Sequence, residues 1–144
     1  MNTKKGKYNL YPCKNTYEAL SLVSKKKYNK IILITNFREG GLEFIIKARQ
    51  TIGNYVLALV AASEPGNLNS IIKCKNTLFS NKPEFTEEYL KCFNYDLLEN
   101  ERKAMILNLK NKMEKYYNAK FNIEEHCLDF PKYKASGRYS ELSF

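Results

Sequence analysis

A chain of 144 residues with 44% hydrophobic residues can bury one core unaided. No apolar run in it approaches the roughly 18 residues that a bilayer span requires. Its net charge of +9 admits nucleic acid as a partner, but lysine carries most of it, with Arg38, Arg49, Arg102 and Arg138 the only arginines. Abundant Asn, Ile and Tyr accompany those lysines, so a solvated basic surface is the simpler reading. Cys13, Cys74, Cys92 and Cys127 lie far apart without a CxxC pair, which argues against a zinc site or a disulfide framework.

The N-terminus is basic, and no long apolar stretch follows Lys7; no secretory signal is expected and a cytoplasmic location follows. Tyr8 to Cys13 is a short strand candidate, weakened by Pro12. Asn15 or Thr16 can cap a helix that carries Tyr17, Ala19, Leu20, Leu22 and Val23 and closes in Lys25-Lys26-Lys27, cations that suit a helix C-terminus. Ile31 to Thr35 has the β-branched, unbroken character of a buried parallel strand. Leu42, Phe44, Ile45, Ala48 and Ile52 then mark a helix that stops at Gly53-Asn54.

The next buried strand is Tyr55 to Ala62, followed by a turn at Ser63 to Asn67 and a short helix with Leu68, Ile71 and Ile72. Thr77 to Ser80 is a last short strand, and Pro83 opens a helix with Phe85, Tyr89, Leu90 and Phe93 on one side. Leu98, Met105, Leu109, Met113 and Tyr116 recur at helical spacing, so 97–117 reads as one long amphipathic helix. The remainder, 118–144, holds Phe121, Ile123, Leu128, Phe130, Tyr133, Tyr139 and Phe144. It is too apolar for a free tail and is expected to wrap back onto the domain.

Alternation of strand and helix predicts a single α/β domain over 1–144: a three-layer α/β/α arrangement of flavodoxin or receiver type with about four parallel strands. Residues 8–93 form its core, with the long helix and C-terminal extension added. This core resembles the response-regulator receiver domain. Asn15 to Leu20, Lys26-Lys27-Tyr28 and Ile31 to Ile34 look like a receiver's second helix and third strand. Gly41 to Ile45 with Ala48-Arg49 is similar to its third helix, and Leu57 to Ala62 to its fourth strand. Phe79-Ser80-Asn81-Lys82-Pro83 resembles the end of its fifth strand, where receivers carry an aromatic residue, the site lysine and a proline.

The departures fall at the receiver's chemistry. Met1 to Gly6 is too short to supply the first strand and its acidic, magnesium-binding pair. The phosphoacceptor aspartate would fall at Ile34 to Asn36, where there is no carboxylate, and the fourth-strand hydroxyl falls at Val60. Phosphoryl transfer to a carboxylate needs that oxygen nucleophile and a cation held by hard oxygen ligands. The resemblance therefore implies a pseudo-receiver: a non-catalytic protein-interaction or regulatory module with no cofactor or metal. Its docking face is expected at the last strand and helix, near Phe79, Lys82, Phe85 and Tyr89, and its partner is expected to be another protein.

The alternative is a phosphate, nucleotide or nucleic-acid binder. A strand-end rim of Thr35, Asn36, Arg38, Gly40, Gly41, Ser63, Asn81 and Lys82 can cradle an anion, because the glycines allow close backbone approach and Arg38 adds charge. The spacing matches neither GxGxxG nor a P-loop, and an ordinary strand–helix turn explains it as well. Aromatic residues interleaved with lysines from Tyr116 to Tyr139 can stack bases or simply fill a core. Cys13 at a strand–helix junction lacks a partnering histidine, and His126, beside Glu124, Glu125, Cys127 and Asp129, is the only histidine of the chain.

Overall fold

A computed structural model describes residues 5–6, 11–25, 32–35, 41–52, 57–62, 68–94 and 96–128. Among the described residues five strand segments and five helices alternate: β1 (Lys5–Gly6), α1 (Thr16–Lys25), β2 (Leu33–Thr35), α2 (Gly41–Ile52), β3 (Ala58–Ala61), α3 (Leu68–Ile72), β4 (Thr77–Ser80), α4 (Pro83–Asn94), β5 (Leu97–Leu98) and α5 (Glu99–Tyr117). A 3-10 turn, Glu125–Leu128, closes the described chain.

β2, β3 and β4 form a parallel sheet in that order, with Leu33 opposite Ala58 and Ala58 opposite Thr77. Every residue of β3 and β4 is buried; β3 therefore runs apolar without alternation, while the buried hydroxyls at the two ends of β4, Thr77 and Ser80, are hydrogen-bonded. Three parallel strands stand where about four were expected among the described residues. Tyr11 to Cys13 has no strand pairing, and Tyr8 to Leu10 lie outside the described residues. A second ladder, absent from the sequence reading, pairs β1 with β5 antiparallel.

Local chemistry sets the helix ends. Asn15 Oδ1 accepts the Glu18 N–H at 2.9 Å, so Asn15 caps α1. Pro83 begins α4, and the Lys82 carbonyl receives the first helical N–H groups, from Phe85 and Thr86. α5 starts where Glu101 reaches back to the Leu98 N–H at 2.9 Å, and it ends at Asn118, whose φ of 51° is the left-handed conformation that asparagine tolerates.

One core joins these parts. α2 contributes Phe44, Ile45 and Ala48, α4 contributes Phe85, Tyr89, Cys92 and Phe93, and α5 contributes Ile106, Leu109 and Met113. α4 packs on α5, and both contact β4. The buried stripe of α5 is Arg102, Ile106, Leu109 and Met113; Met105 lies at its margin and Tyr116 is exposed. The expected stripe was thus rotated by part of a turn, since an arginine occupies a core position. The Arg102 Nε donates to the Cys92 carbonyl at 2.8 Å, placing a cation at the C-terminal end of α4, where the helix dipole favours it.

Past α5 the chain returns to the core: Phe121, Cys127 and Leu128 are buried. The part of the expected wrapping extension beyond Leu128 lies outside the described residues. Tyr17, expected among the apolar residues of α1, is 86% exposed, while Val23 carries the helix's burial.

Candidate functional site

The carboxyl ends of β2 and β4 form the rim on which the sequence placed its ligand residues. Thr35 ends β2 and is buried; Ser80 ends β4 and is buried. Gly41 is the first residue of α2. Asn36, Arg38, Gly40 and Ser63 lie outside the described residues, so the geometry bears on Thr35, Asn81 and Lys82.

At the β4–α4 turn, hydroxyl groups close the backbone. Ser80 Oγ accepts from the Lys82 N–H at 3.1 Å and from Thr86 Oγ1 at 3.2 Å, and it donates to the Lys82 carbonyl at 2.7 Å. Asn81 is held from α5: its N–H donates to the Tyr117 hydroxyl at 2.8 Å, and that hydroxyl donates to Asn81 Oδ1 at 2.6 Å. Burial pushes the Tyr117 hydroxyl up in pKa, against the opposing pull of hydrogen bonds to Asn81 and Ser80. The Lys82 ammonium lies 4.7 Å from the Tyr116 ring centroid and 5.1 Å from that of Phe85. Those distances are within the range of cation–π attraction. Asn81 and Lys82 are therefore engaged by the last turn of α5 rather than presented to an anion.

The same helix corrects the expected docking face. Phe79, Phe85 and Tyr89 are 0%, 7% and 1% exposed. Phe79 meets Tyr117 edge to face, and Tyr89 donates its hydroxyl to the Leu33 carbonyl at 3.3 Å. Burial drives the Tyr89 pKa well above its usual value, so it is a neutral donor inside the core. Of the four residues expected to meet a partner, only Lys82 reaches the surface. The signal was in the sequence: an apolar stripe on a long helix needs an apolar surface to cover, and Phe79 and Phe85 supply it.

Residues that the sequence does not place together assemble at the opposite end of the sheet. Arg49, at the end of α2, donates to Thr77 Oγ1 at 2.8 Å and to the Asn76 carbonyl at 2.7 Å. The Asn76 amide and the Glu124 carboxylate meet at 3.1 Å, and the Glu124 N–H donates back to Asn76 Oδ1 at 2.8 Å. Asn76 has a φ of 60°, which fixes the turn into β4. Burial lowers the Arg49 pKa, partly offset by the nearby Cys127, Cys74 and Tyr89. This network ties α2, β4 and the returning chain together, and no local pattern in the sequence announces it.

The cysteine candidate gains no activation, and the histidine candidate lies beside the Glu124 of this network. Burial, then Glu18, push the Cys13 thiol up, the reverse of nucleophile activation. His126 is half-exposed, 3.9 Å from Glu124 Oε2. Among the described residues no group of three His, Cys, Asp or Glu side chains is placed to hold a metal ion, and no helix of the described chain is long and apolar enough to cross a membrane. No protein-family model, curated protein or solved structure matches this chain.

Proposed function

We propose that this chain is a non-catalytic, receiver-like interaction module, a three-layer α/β/α domain whose β4–α4 turn is engaged by its own last helix. The observation that carries the reading is the double engagement of the β4–α4 turn, Asn81 by Tyr117 and Lys82 by Tyr116. A receiver's lysine addresses a phosphorylated aspartate across the strand ends. Here Thr35 lies where the strand would carry that carboxylate, and the lysine lies on aromatic rings. The turn is thereby held in one arrangement, which suits a constitutive binding scaffold better than a phosphorylation switch.

A protein partner then meets what α4 and α5 leave exposed: Glu84 and Glu87 on α4, and Tyr116 with Lys115 on α5. The test is affinity capture from source cells with wild type, Lys82→Glu and Glu87→Lys, with far-UV circular dichroism as the folding control. One partner enriched by wild type and lost in folded variants is the expected result. Capture that ignores both charge reversals would overturn the assignment of this face, and saturable binding of a single-stranded oligonucleotide with a steep salt dependence would replace this reading with the nucleic-acid one.

A further inference from the structure

The rings around Lys82 have the arrangement of a cation cage. Phe85 and Tyr116 stand with centroids 5.4 Å apart and planes 84° to each other, forming two walls at right angles. Tyr117 backs them, 4.9 Å from Tyr116 at 88° and 6.1 Å from Phe85 at 61°. Phe85 is fixed in the core at 7% exposure, whereas Tyr116 is 57% exposed, so the corner is rigid on one side and open on the other. The ammonium of Lys82 occupies it, 4.7 and 5.1 Å from the two centroids.

Aromatic faces arranged around a cation attract it through the ring quadrupole, and cages of this kind recognise quaternary ammonium groups. A primary ammonium is strongly hydrated, so burying it against rings forfeits more water than burying a methylated one. We propose that Phe85 and Tyr116 form a cation site whose resident occupant is Lys82, and that the ligand it takes in place of Lys82 is an organic ammonium ion. The ammonium can come from a small quaternary amine or from a methylated lysine of a peptide; the chemistry is common to both. This inference does not depend on the docking reading.

The test is a titration of tetramethylammonium chloride, against matched sodium chloride, followed by ring-proton NMR. A short peptide bearing trimethyllysine is titrated separately. The proteins are wild type, Lys82→Met and the double variant Lys82→Met/Tyr116→Ala, with Lys82→Gln replacing Lys82→Met should that variant fail to fold. Lys82→Met is expected to bind tetramethylammonium about tenfold tighter than wild type, with shifts at Phe85 and Tyr116, and the double variant to lose binding. Tighter binding of the peptide than of the free ion points to a protein source, and equal binding to a small amine; either supports the site. Equal affinities of wild type and Lys82→Met, the absence of ring shifts in Lys82→Met, or shifts that survive Tyr116→Ala overturn it.

Discussion

The Tyr117 hydroxyl and Asn81 exchange two hydrogen bonds: the hydroxyl accepts the Asn81 N–H at 2.8 Å and donates to Asn81 Oδ1 at 2.6 Å. One side chain at the end of α5 thus satisfies both a backbone and a side-chain group at the end of β4. Together with the Phe79–Tyr117 ring contact, this pins the last turn of α5 to the sheet.

Tyr117→Phe keeps the ring contacts and removes both hydrogen bonds. It is expected to lower stability by at most about 1 kcal/mol, since both hydrogen bonds are exposed and water can replace the hydroxyl at Asn81. Urea unfolding of the two proteins measures this. An unchanged midpoint would show that the turn is held by ring packing alone.

How much of this was legible beforehand depends on locality. The cap at Asn15, the helix start at Pro83, the β4 limits Thr77 to Ser80 and the long helix up to Tyr117 rest on neighbouring residues, and the α/β class follows from their alternation; Leu97 and Leu98, expected as the start of that helix, form β5 instead. The β1–β5 pairing spans two residues and has no period to read. The docking face was misjudged because Phe79 and Phe85 were weighed without the helix whose Tyr116 and Tyr117 they meet, and Tyr89 without the strand whose Leu33 carbonyl it bonds. Arg102 was missed because arginine is so seldom fully buried, and its place depends on a carbonyl freed at the end of α4. The Arg49–Asn76–Glu124 network joins residues 27 to 48 positions apart, which no local spacing reveals.

Arg102→Ala is expected to be among the most destabilising single changes, about 3–5 kcal/mol, because it empties a buried volume and orphans the Cys92 carbonyl. Arg102→Met, which refills most of the volume, is expected to cost less. Chemical denaturation of both variants separates packing from hydrogen bonding. Equal losses would assign the whole effect to the missing hydrogen bonds.

Glu114 should give the fold an acid-sensitive joint. Burial pushes its carboxyl up, but the Phe121 N–H, the Lys110 ammonium and the Lys120 charge outweigh this and hold its pKa below the usual carboxylate value. A carboxyl depressed in the folded state contributes stability that is fully present above its unfolded pKa and is lost as pH falls through the folded one. Wild type is therefore expected to lose stability on acidification in that window more steeply than Glu114→Gln. Parallel pH profiles for the two proteins would place the acid sensitivity elsewhere.

The four thiols should separate by exposure. Cys92 and Cys127 are buried, and burial together with Glu88 raises Cys92 to about 11; Cys13 and Cys74 are partly exposed. Iodoacetamide at neutral pH is expected to modify Cys13 and Cys74 in the native protein and to reach Cys92 and Cys127 only after unfolding, as read by peptide mass spectrometry. Early modification of Cys92 would mean that α4 opens locally from α5.

The central proposal is that the β4–α4 turn, engaged by Tyr116 and Tyr117 of α5, takes no part in phosphoryl transfer. The most direct measurement follows the amide resonances of Thr35, Asn81 and Lys82 during titration with acetyl phosphate and magnesium, with intact-mass detection of phosphoryl transfer. The expected result is an unchanged mass and no saturable shift at those three amides. A stable phosphoryl adduct, or saturable shifts converging on the rim, would contradict the account.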